Sequence, residues 1–400
     1  MKPVRLHRTT TNAVIQALDQ IFGEGRYADK VIEKTLKQNS KWGARDRRFI
    51  AETTYDVVRW YLLLRIVARA KEDEYWKMLG AWFVLNGDAL PPWEEFRGVK
   101  AGDVKSRYEE VKQTRRYRES IPDWLDELGA RELGGNWDKE LTALNEEASV
   151  VLRTNSLKIA KRDLIGTLQD EDVQVYTLDE YPDALVLEKR QNIFTLDAFK
   201  NGYFEVQDAA SQAVAPFLRP EAGMRVVDAC AGAGGKTLHI ASLMKNKGRI
   251  IAMDVEAWKL DELGQRARRA GVSNLETRVI ESSKVIKRLE KSADRLLLDV
   301  PCSGTGVLKR NPDAKWKLSA SFIDEVKGTQ QRILSDYSTI VKPGGLMVYS
   351  TCSILPSENE QQVRAFLDSC EGEFSLVEEK HLWPSEGFDG FYMALLKRRN

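Results

Sequence analysis

Histidine is scarce in this chain of 400 residues, and its three examples, His7, His239 and His381, stand far apart. None has a partner at a useful spacing, which argues against a histidine-based hydrolytic triad or a zinc centre. The four cysteines, at 230, 302, 352 and 370, are equally scattered. They form neither a metal-ligand spacing nor a disulfide framework, so a reducing cytoplasm is the expected setting. No apolar run approaches the ~18 residues that span a bilayer. Met1–Arg5 lead into a polar Thr9-Thr10-Thr11-Asn12 stretch without the apolar core of a secretory leader. Internal repeats and low-complexity tracts are also missing.

A single sign of charge is lacking overall, since the formal net charge is only +1. The distribution is uneven, however. Residues 1–50 carry eleven Lys/Arg against five Asp/Glu, and residues 97–118 carry eight against three. Basic clusters on a near-neutral chain suggest a polyanion contacted by part of the surface, although a solvated helix face reads the same way.

Length alone calls for two or three domains. Residues 1–147 read as helical, with apolar residues at helical spacing in Val14, Ala17, Leu18 and Ile21, then in a long helix over 44–70, then near 74–85. Residues 97–118 read as a connector. Arg45, Arg47 and Arg48 crowd the first turn of the long helix, where the dipole disfavours cations, which hints at a phosphate contact. Residues 148–218 mix short strands and helices in a small α/β unit. From 219 to 400, strands alternate with helices, as in a doubly wound parallel sheet. Its last residues, 388–397, read as a hairpin turning at Asp389-Gly390.

Two stretches in this last part are twins. Leu296–Asp299 runs into Val300-Pro301-Cys302-Ser303-Gly304, and Leu346–Tyr349 runs into Ser350-Thr351-Cys352-Ser353. A short continuous apolar run ending in small residues is how a strand buried on both faces reads. Ligands of such sheets sit beyond the carboxyl ends of the strands. Both thiols thus arrive at the edge where chemistry takes place. A lone free cysteine is as often a small buried hydrophobe; the pair, with Asp299 beside Cys302, favours function.

A third strand, Arg225–Asp228, opens into the loop Ala229-Cys230-Ala231-Gly232-Ala233-Gly234-Gly235-Lys236-Thr237. Its glycines admit a ligand close to the backbone at a helix N-terminus. The dinucleotide fingerprint fails because Thr237 stands at its third glycine, and the phosphate loop fails because Cys230 stands at its first. What remains suits a nucleoside cofactor without a phosphate chain, such as S-adenosylmethionine. Asp254, at the end of the next strand, is placed to accept ribose hydroxyls.

These motifs, with Arg310–Trp316 and Tyr349–Glu360, resemble the RNA (cytosine-5) methyltransferases of the RsmB/Sun family over most of the chain. Gly202–Gln212 is similar to that family's lead-in to its methyltransferase domain. The resemblance implies a multidomain protein: an all-α, NusB-like RNA-binding front at 1–147, a small α/β unit at 148–218, and a Rossmann-like class I methyltransferase domain at 219–400. It further implies a cytoplasmic enzyme, expected to be a monomer, without a metal or a membrane partner. This enzyme would use S-adenosylmethionine to methylate carbon 5 of a cytosine in RNA, with 16S ribosomal RNA as the expected substrate. Transfer RNA is the alternative substrate, and a non-catalytic ribosome-assembly factor is the alternative class. By the same resemblance, Cys352 is the nucleophile, Cys302 assists release, and Asp299 acts on the ring. Cys230, Ala231, Gly232, Ala233, Gly234, Gly235 and Lys236 line the cofactor, along with Asp254, Asp299 and, near the adenine, Glu281. The family's usual Cys-Ala-Ala-Pro-Gly-Gly-Lys lacks its proline here, and its third-strand Asp is replaced by Glu281 or Ser282. Arg310, Lys315 and Trp316 read either as RNA contacts or as a surface loop with a packed indole.

Overall fold

The computed structural model describes residues 6–400; Met1–Arg5, on which the reading of the N-terminus partly rests, lie outside them. The chain forms two compact units. One comprises the residues up to Glu146 together with Leu308–Ala320, and the other comprises Glu147–Val307 with Ser321–Asn400. As expected, the front is helical, a small sheet follows, and a large, mostly parallel sheet closes the chain.

In the first unit, helices Arg8–Leu18, Ala28–Gln38, Ala44–Arg59, Tyr61–Ala68 and Tyr75–Leu85 bury the periodic apolar residues Val14, Leu18, Val31, Ile50, Val57, Leu64 and Met78 in one core. The expected single helix over 44–70 is two. It breaks at Trp60 (φ −101°, ψ 18°), and the amides of Leu62 and Leu63 turn to the Ser120 hydroxyl at 3.0 and 3.3 Å. The expected connector over 97–118 is also helical, at Ala101–Val111 and Arg115–Arg118. Its cations are paired within the unit: Arg115 meets Asp126 at 2.7 Å, and Arg118 meets Glu119 at 2.9 Å. Arg47 serves the backbone, not a phosphate. Its guanidinium donates to the carbonyls of Leu36, Asn39 and Trp42, at the end of the preceding helix and in the turn after it.

Segment 308–320 belongs to this helical unit although it follows the Cys302 loop in sequence. Lys315 is fully buried and donates to the carbonyls of Arg59, Glu119 and Ser120 and to Asn145 Oδ1, the last at 2.6 Å. Burial, with Arg59 near, pushes its ammonium down to about 7. The Trp316 indole donates to Val58 O at 2.7 Å. Lys315 is therefore not an RNA phosphate contact, and Trp316 is the packed indole.

In the second unit, a four-stranded antiparallel sheet contains β1 (Val151–Thr154), β2 (Val175–Leu178), β3 (Tyr181–Leu187) and β4 (Phe204–Val206), in the order β2-β3-β1-β4. The large sheet contains β5 (Arg225–Asp228), β6 (Arg249–Asp254), β7 (Leu275–Val279), β8 (Ala293–Asp299), β9 (Val341–Thr351), β10 (Phe374–Leu382) and β11 (Phe391–Arg398). Their order is β10-β11-β9-β8-β5-β6-β7, with β11 antiparallel to both its neighbours and the other pairs parallel. Successive residues alternate between two cores. Val226, Leu297 and Val348 face helices Ala209–Phe217 and Gly235–Leu243, while Val227, Leu296, Leu298 and Met347 face helices Ala320–Tyr337 and Glu360–Ser369. Both faces are covered, so these strands are apolar runs and not alternating ones.

The chain leaves β5 towards β7 on one side and resumes at β8 on the other. That reversal opens a crevice at the carboxyl ends of β5 and β8. The terminal hairpin differs from expectation. Its strands are β10 and β11, linked by residues 383–390, and Asp389-Gly390 closes that link instead of making a tight turn.

Among the described residues no helix is long and apolar enough to cross a membrane, and no cluster of His, Cys, Asp and Glu is arranged to hold a metal. Replacing Lys315 with Met keeps its volume but takes the ammonium from four buried oxygens, of which Glu119 O keeps another donor, the Asn145 amide. Urea unfolding of Lys315→Met should show a loss of roughly 2–4 kcal/mol; an unchanged midpoint would mean that the ammonium does not hold the segment.

Candidate active site

Register brings the two thiols together. Asp299, the last residue of β8, pairs with Ser350 of β9, and the Val300 amide donates to Ser350 O at 3.0 Å. Cys302 and Cys352 leave adjacent parallel strands in the same direction, and their sulfurs are 3.2 Å apart. Gly306 makes the approach possible. Its amide donates to Cys352 O at 2.9 Å, and a Cβ there would lie 2.2 Å from Gly390 O. The Cys302 thiol is pushed well above its usual range by its hydrogen bond to Cys352, by burial and by the charge of Glu358.

The loop after β5 is built to a tight tolerance. Gly234, at φ +88°, is the left-handed N-cap of helix Gly235–Leu243, and a Cβ on it would meet Leu263 Cδ1 at 2.0 Å. Asp254 anchors the loop from β6: Oδ2 accepts the Gly232 amide and Oδ1 the Glu256 amide, each at 2.9 Å. Each oxygen keeps a second lone pair for a ligand hydroxyl. Lys236 leans back over the strand ends to Asp299 Oδ2 at 2.6 Å, with the Phe391 ring centroid 5.0 Å away. Burial opposes its charge, but Asp299 more than compensates, and its pKa is raised.

Beneath this pair lies Asp228, 1% exposed, accepting from Thr237 Oγ1 at 2.6 Å. Burial raises its pKa to about 7, with Asp299 adding to the rise. Burial likewise pushes the Cys230 thiol far up, so this cysteine is a neutral wall of the cleft.

The cleft encloses about 510 Å³ between the loop after β5, the ends of β6, β7 and β8, and helix Ala320–Tyr337. Of the expected cofactor residues, Cys230, Gly232, Asp254 and Asp299 line it. Lys236 reaches it through Asp299, while Ala231, Ala233, Gly234 and Gly235 shape the loop behind. Glu281 does not line it. This residue is exposed, and its neighbour Ile280 faces the cleft instead. Arg332, Asp336 and Tyr337 line the opposite wall, a contribution that a surface-like helical pattern gave no reason to expect. The donor set fits an adenosine cofactor without phosphates. Val255, Ile280 and Val300 offer apolar walls, and the carboxylates of Asp254, Asp299 and Asp336 outnumber the cations of Lys259 and Arg332, which suits a cationic sulfonium better than a phosphate chain.

Sequence reasoning also missed the supports of the loop. Arg153 on β1, 1% exposed, donates to Gly235 O and Gln207 Oε1. Arg266 donates to Ala233 O at 2.8 Å and pairs with Glu205 of β4 at 2.9 Å. A charge inside the apolar runs Val151–Thr154 and Tyr203–Val206 was the available signal.

Two family models match the chain: 16S rRNA methyltransferase RsmB/F over residues 215–397, and the ferredoxin-like domain of RsmF/B-like methyltransferases over 121–194. The chain belongs to the RsmB/F methyltransferase family. A probable ribosomal RNA small subunit methyltransferase B of Synechocystis sp. is 36% identical over 273 residues, which are 68% of this chain and 59% of that protein. The ribosomal RNA small subunit methyltransferase B of Salmonella paratyphi B is 28% identical over 96% of this chain and 97% of its own. The crystal structure of PH0851 superposes with a TM-score of 0.84 at 26% identity, covering 99% of this chain and all of that one. The loop after β5 is held here by Asp254, Arg153 and Arg266.

Helix Gly235–Leu243 carries a second titrating group. His239 is buried with Nε2 3.0 Å from Asp183 Oδ2, and burial lowers its pKa from 6.5 to about 4. Between those values the unfolded chain binds a proton that the folded chain lacks, so His239 makes stability rise with pH through that window. Asp228 works the other way. The folded chain keeps a proton that the unfolded chain releases between 3.8 and about 7, so stability falls as pH rises. In Asp228→Asn the opposing contribution is gone, and the unfolding free energy from urea titrations should climb from pH 4.5 to 6.5 by up to about 3 kcal/mol. In His239→Gln the slope should reverse.

Proposed function

We propose that this protein transfers a methyl group from S-adenosylmethionine to carbon 5 of a cytosine in RNA, with 16S ribosomal RNA as substrate, through a covalent adduct to Cys352. The observation that carries this reading is the thiol pair, 3.2 Å apart beside the Lys236–Asp299 pair, at the rim of a cleft of nucleoside size. A methyltransferase acting on an amine or hydroxyl needs neither thiol.

Carbon 5 of cytosine is too weak a nucleophile to attack unaided. A thiolate bonding to carbon 6 pushes electrons to carbon 5, and a proton held at ring nitrogen 3 stabilises the product of that addition. S-adenosylmethionine, when bound, supplies the electrophilic methyl. The proton on carbon 5 must then depart so that the carbon–sulfur bond can break. The Lys236 ammonium interacts with Cys352, which favours that thiol as the attacking one. Cys302 is then the group that takes part in release. Asp299, which accepts from Lys236 through Oδ2, is the hydrogen-bond partner for a proton on ring nitrogen 3. Asp254 holds the ribose hydroxyls. A base within a duplex cannot reach this crevice, so the target is single-stranded or flipped out. The helical unit is the RNA-binding part in this reading, through its exposed basic residues such as Lys30, Lys34 and Lys37.

Purified protein with labelled S-adenosylmethionine and unmodified 16S ribosomal RNA should give 5-methylcytosine in one fragment by nucleoside mass analysis. Product on transfer RNA alone would keep the chemistry and change the substrate; no methylation and no cofactor binding would leave a non-catalytic assembly factor. Cys352→Ala should lose at least about three orders of magnitude in rate. Cys302→Ala should accumulate a covalent RNA complex on a denaturing gel, and the opposite pattern would exchange the two roles.

A further inference from the structure

Beneath the thiol pair is a carboxylate to which neither the comparisons nor the proposed chemistry assigns a task. Glu358 ends the 3₁₀ turn Pro356–Glu358 just beyond β9 and is wholly buried. It forms no ion pair with a Lys, Arg or His among the described residues. Four donors converge on it instead. Oε2 accepts the Ser303 amide at 2.8 Å and Gln330 Nε2 at 3.0 Å, while Oε1 accepts the hydroxyls of Ser353 (2.6 Å) and Ser303. A buried carboxylate without a cation is costly, and four donors offset that cost.

The partners are not arbitrary. Ser303 follows Cys302 and Ser353 follows Cys352, so one carboxylate grips the residue after each thiol. Thr305 Oγ1 adds a bond to Ser353 Oγ at 2.9 Å. The Tyr349 hydroxyl, donating to Glu358 O at 2.7 Å, fixes the backbone from which the carboxylate projects. Every bond to the carboxylate is accepted, so glutamine imitates it poorly: its NH₂ would either oppose the Ser303 amide and Gln330 Nε2, or require the two serine hydroxyls, which already accept from the amides of Thr305 and Leu355, to turn.

We propose that Glu358 is a positioning residue that sets the separation of the two thiols by holding Ser303 and Ser353 on one carboxylate. It touches no reacting atom. Its consequence for catalysis rests on the cytosine-5 reading, but its consequence for thiol geometry does not.

The test separates the two. Diamide takes one hydrogen from each of two neighbouring thiols, becoming a hydrazine and leaving a disulfide, at a rate that depends on their apposition. In Glu358→Gln the Cys302–Cys352 disulfide, followed by peptide mass, should form about tenfold more slowly, and kcat should fall by roughly 100-fold. The Kd for S-adenosylmethionine should stay within about threefold, because the cofactor loop does not touch Glu358. Glu358→Asp should recover part of both rates. A disulfide rate within about twofold of the parent would overturn the proposal, as would a loss of cofactor binding in step with kcat. If Glu358→Gln does not fold, Ser353→Ala and Ser303→Ala each remove a hydroxyl donor and keep the charge; parental disulfide rates in both would overturn it as well. A slowed disulfide in a protein that makes no 5-methylcytosine would uphold the positioning role and sink the catalytic reading.

Discussion

Two parallel strands ending side by side constrain everything else at this site. Hydrogen bonding holds β8 and β9 in a register where Asp299 lies opposite Ser350, and the backbone spacing of neighbouring strands then determines where the following loops begin. Residues 302 and 352, far apart in sequence, are left with one strand spacing between them. Buried polar groups close the remaining distance. Ser303, Thr305, Ser353, Gln330, Glu358 and Asn359 are all buried and hydrogen-bonded to one another or to backbone. Apart from Gln330 Oε1, which has no partner among the described residues, the side chains of this network are satisfied, and such a network makes a rigid base for reactive groups.

The cofactor side follows a different physical logic. A glycine loop that must admit a ligand cannot pack its own side chains, so its rigidity has to come from outside. Here it comes from a carboxylate at the end of β6 and from two arginines that donate to loop carbonyls, one on the small sheet and one on helix Ala257–Ala270. Glu205 secures Arg266 and Arg269 in turn. The small sheet therefore has a physical reason to sit in the same compact unit as the large one. It carries Arg153 and Glu205, without which the loop carbonyls of Ala233 and Gly235 would lose their charged donors.

Several cations that invite a functional reading are spent on folding. Arg47 donates to carbonyls at the end of a helix and in its following turn, Lys315 does so at a junction of helices, and Arg115 and Arg118 pair with Asp126 and Asp138 of neighbouring helices. The lysines of helix Ala28–Gln38, by contrast, line an open surface.

Much was legible in the sequence because it depends on local pattern. Apolar runs such as Leu296–Leu298 are continuous because both faces of their strands are covered, and small residues after them mark where the chain turns; hence the parallel sheet, the edge bearing Asp299, Cys302 and Cys352, and the glycine loop before Lys236 could all be read. Helix spacing at Val14–Ile21 was equally local. What required the tertiary structure was every matter of partnership. The break at Trp60 depends on Ser120, fifty-eight residues away from Leu62. The exclusion of Glu281 from the cleft, and the entry of Arg332, Asp336 and Tyr337, depend on where a helix packs against the ends of the strands. Lys315 and Trp316 look like solvent-facing residues of a loop until the loop is seen inside a helical core. Sequence periodicity reports which side of an element is buried. It does not report what that side meets, because a buried polar group is satisfied by whichever donor or acceptor the fold brings within 3 Å or so, at any distance along the chain.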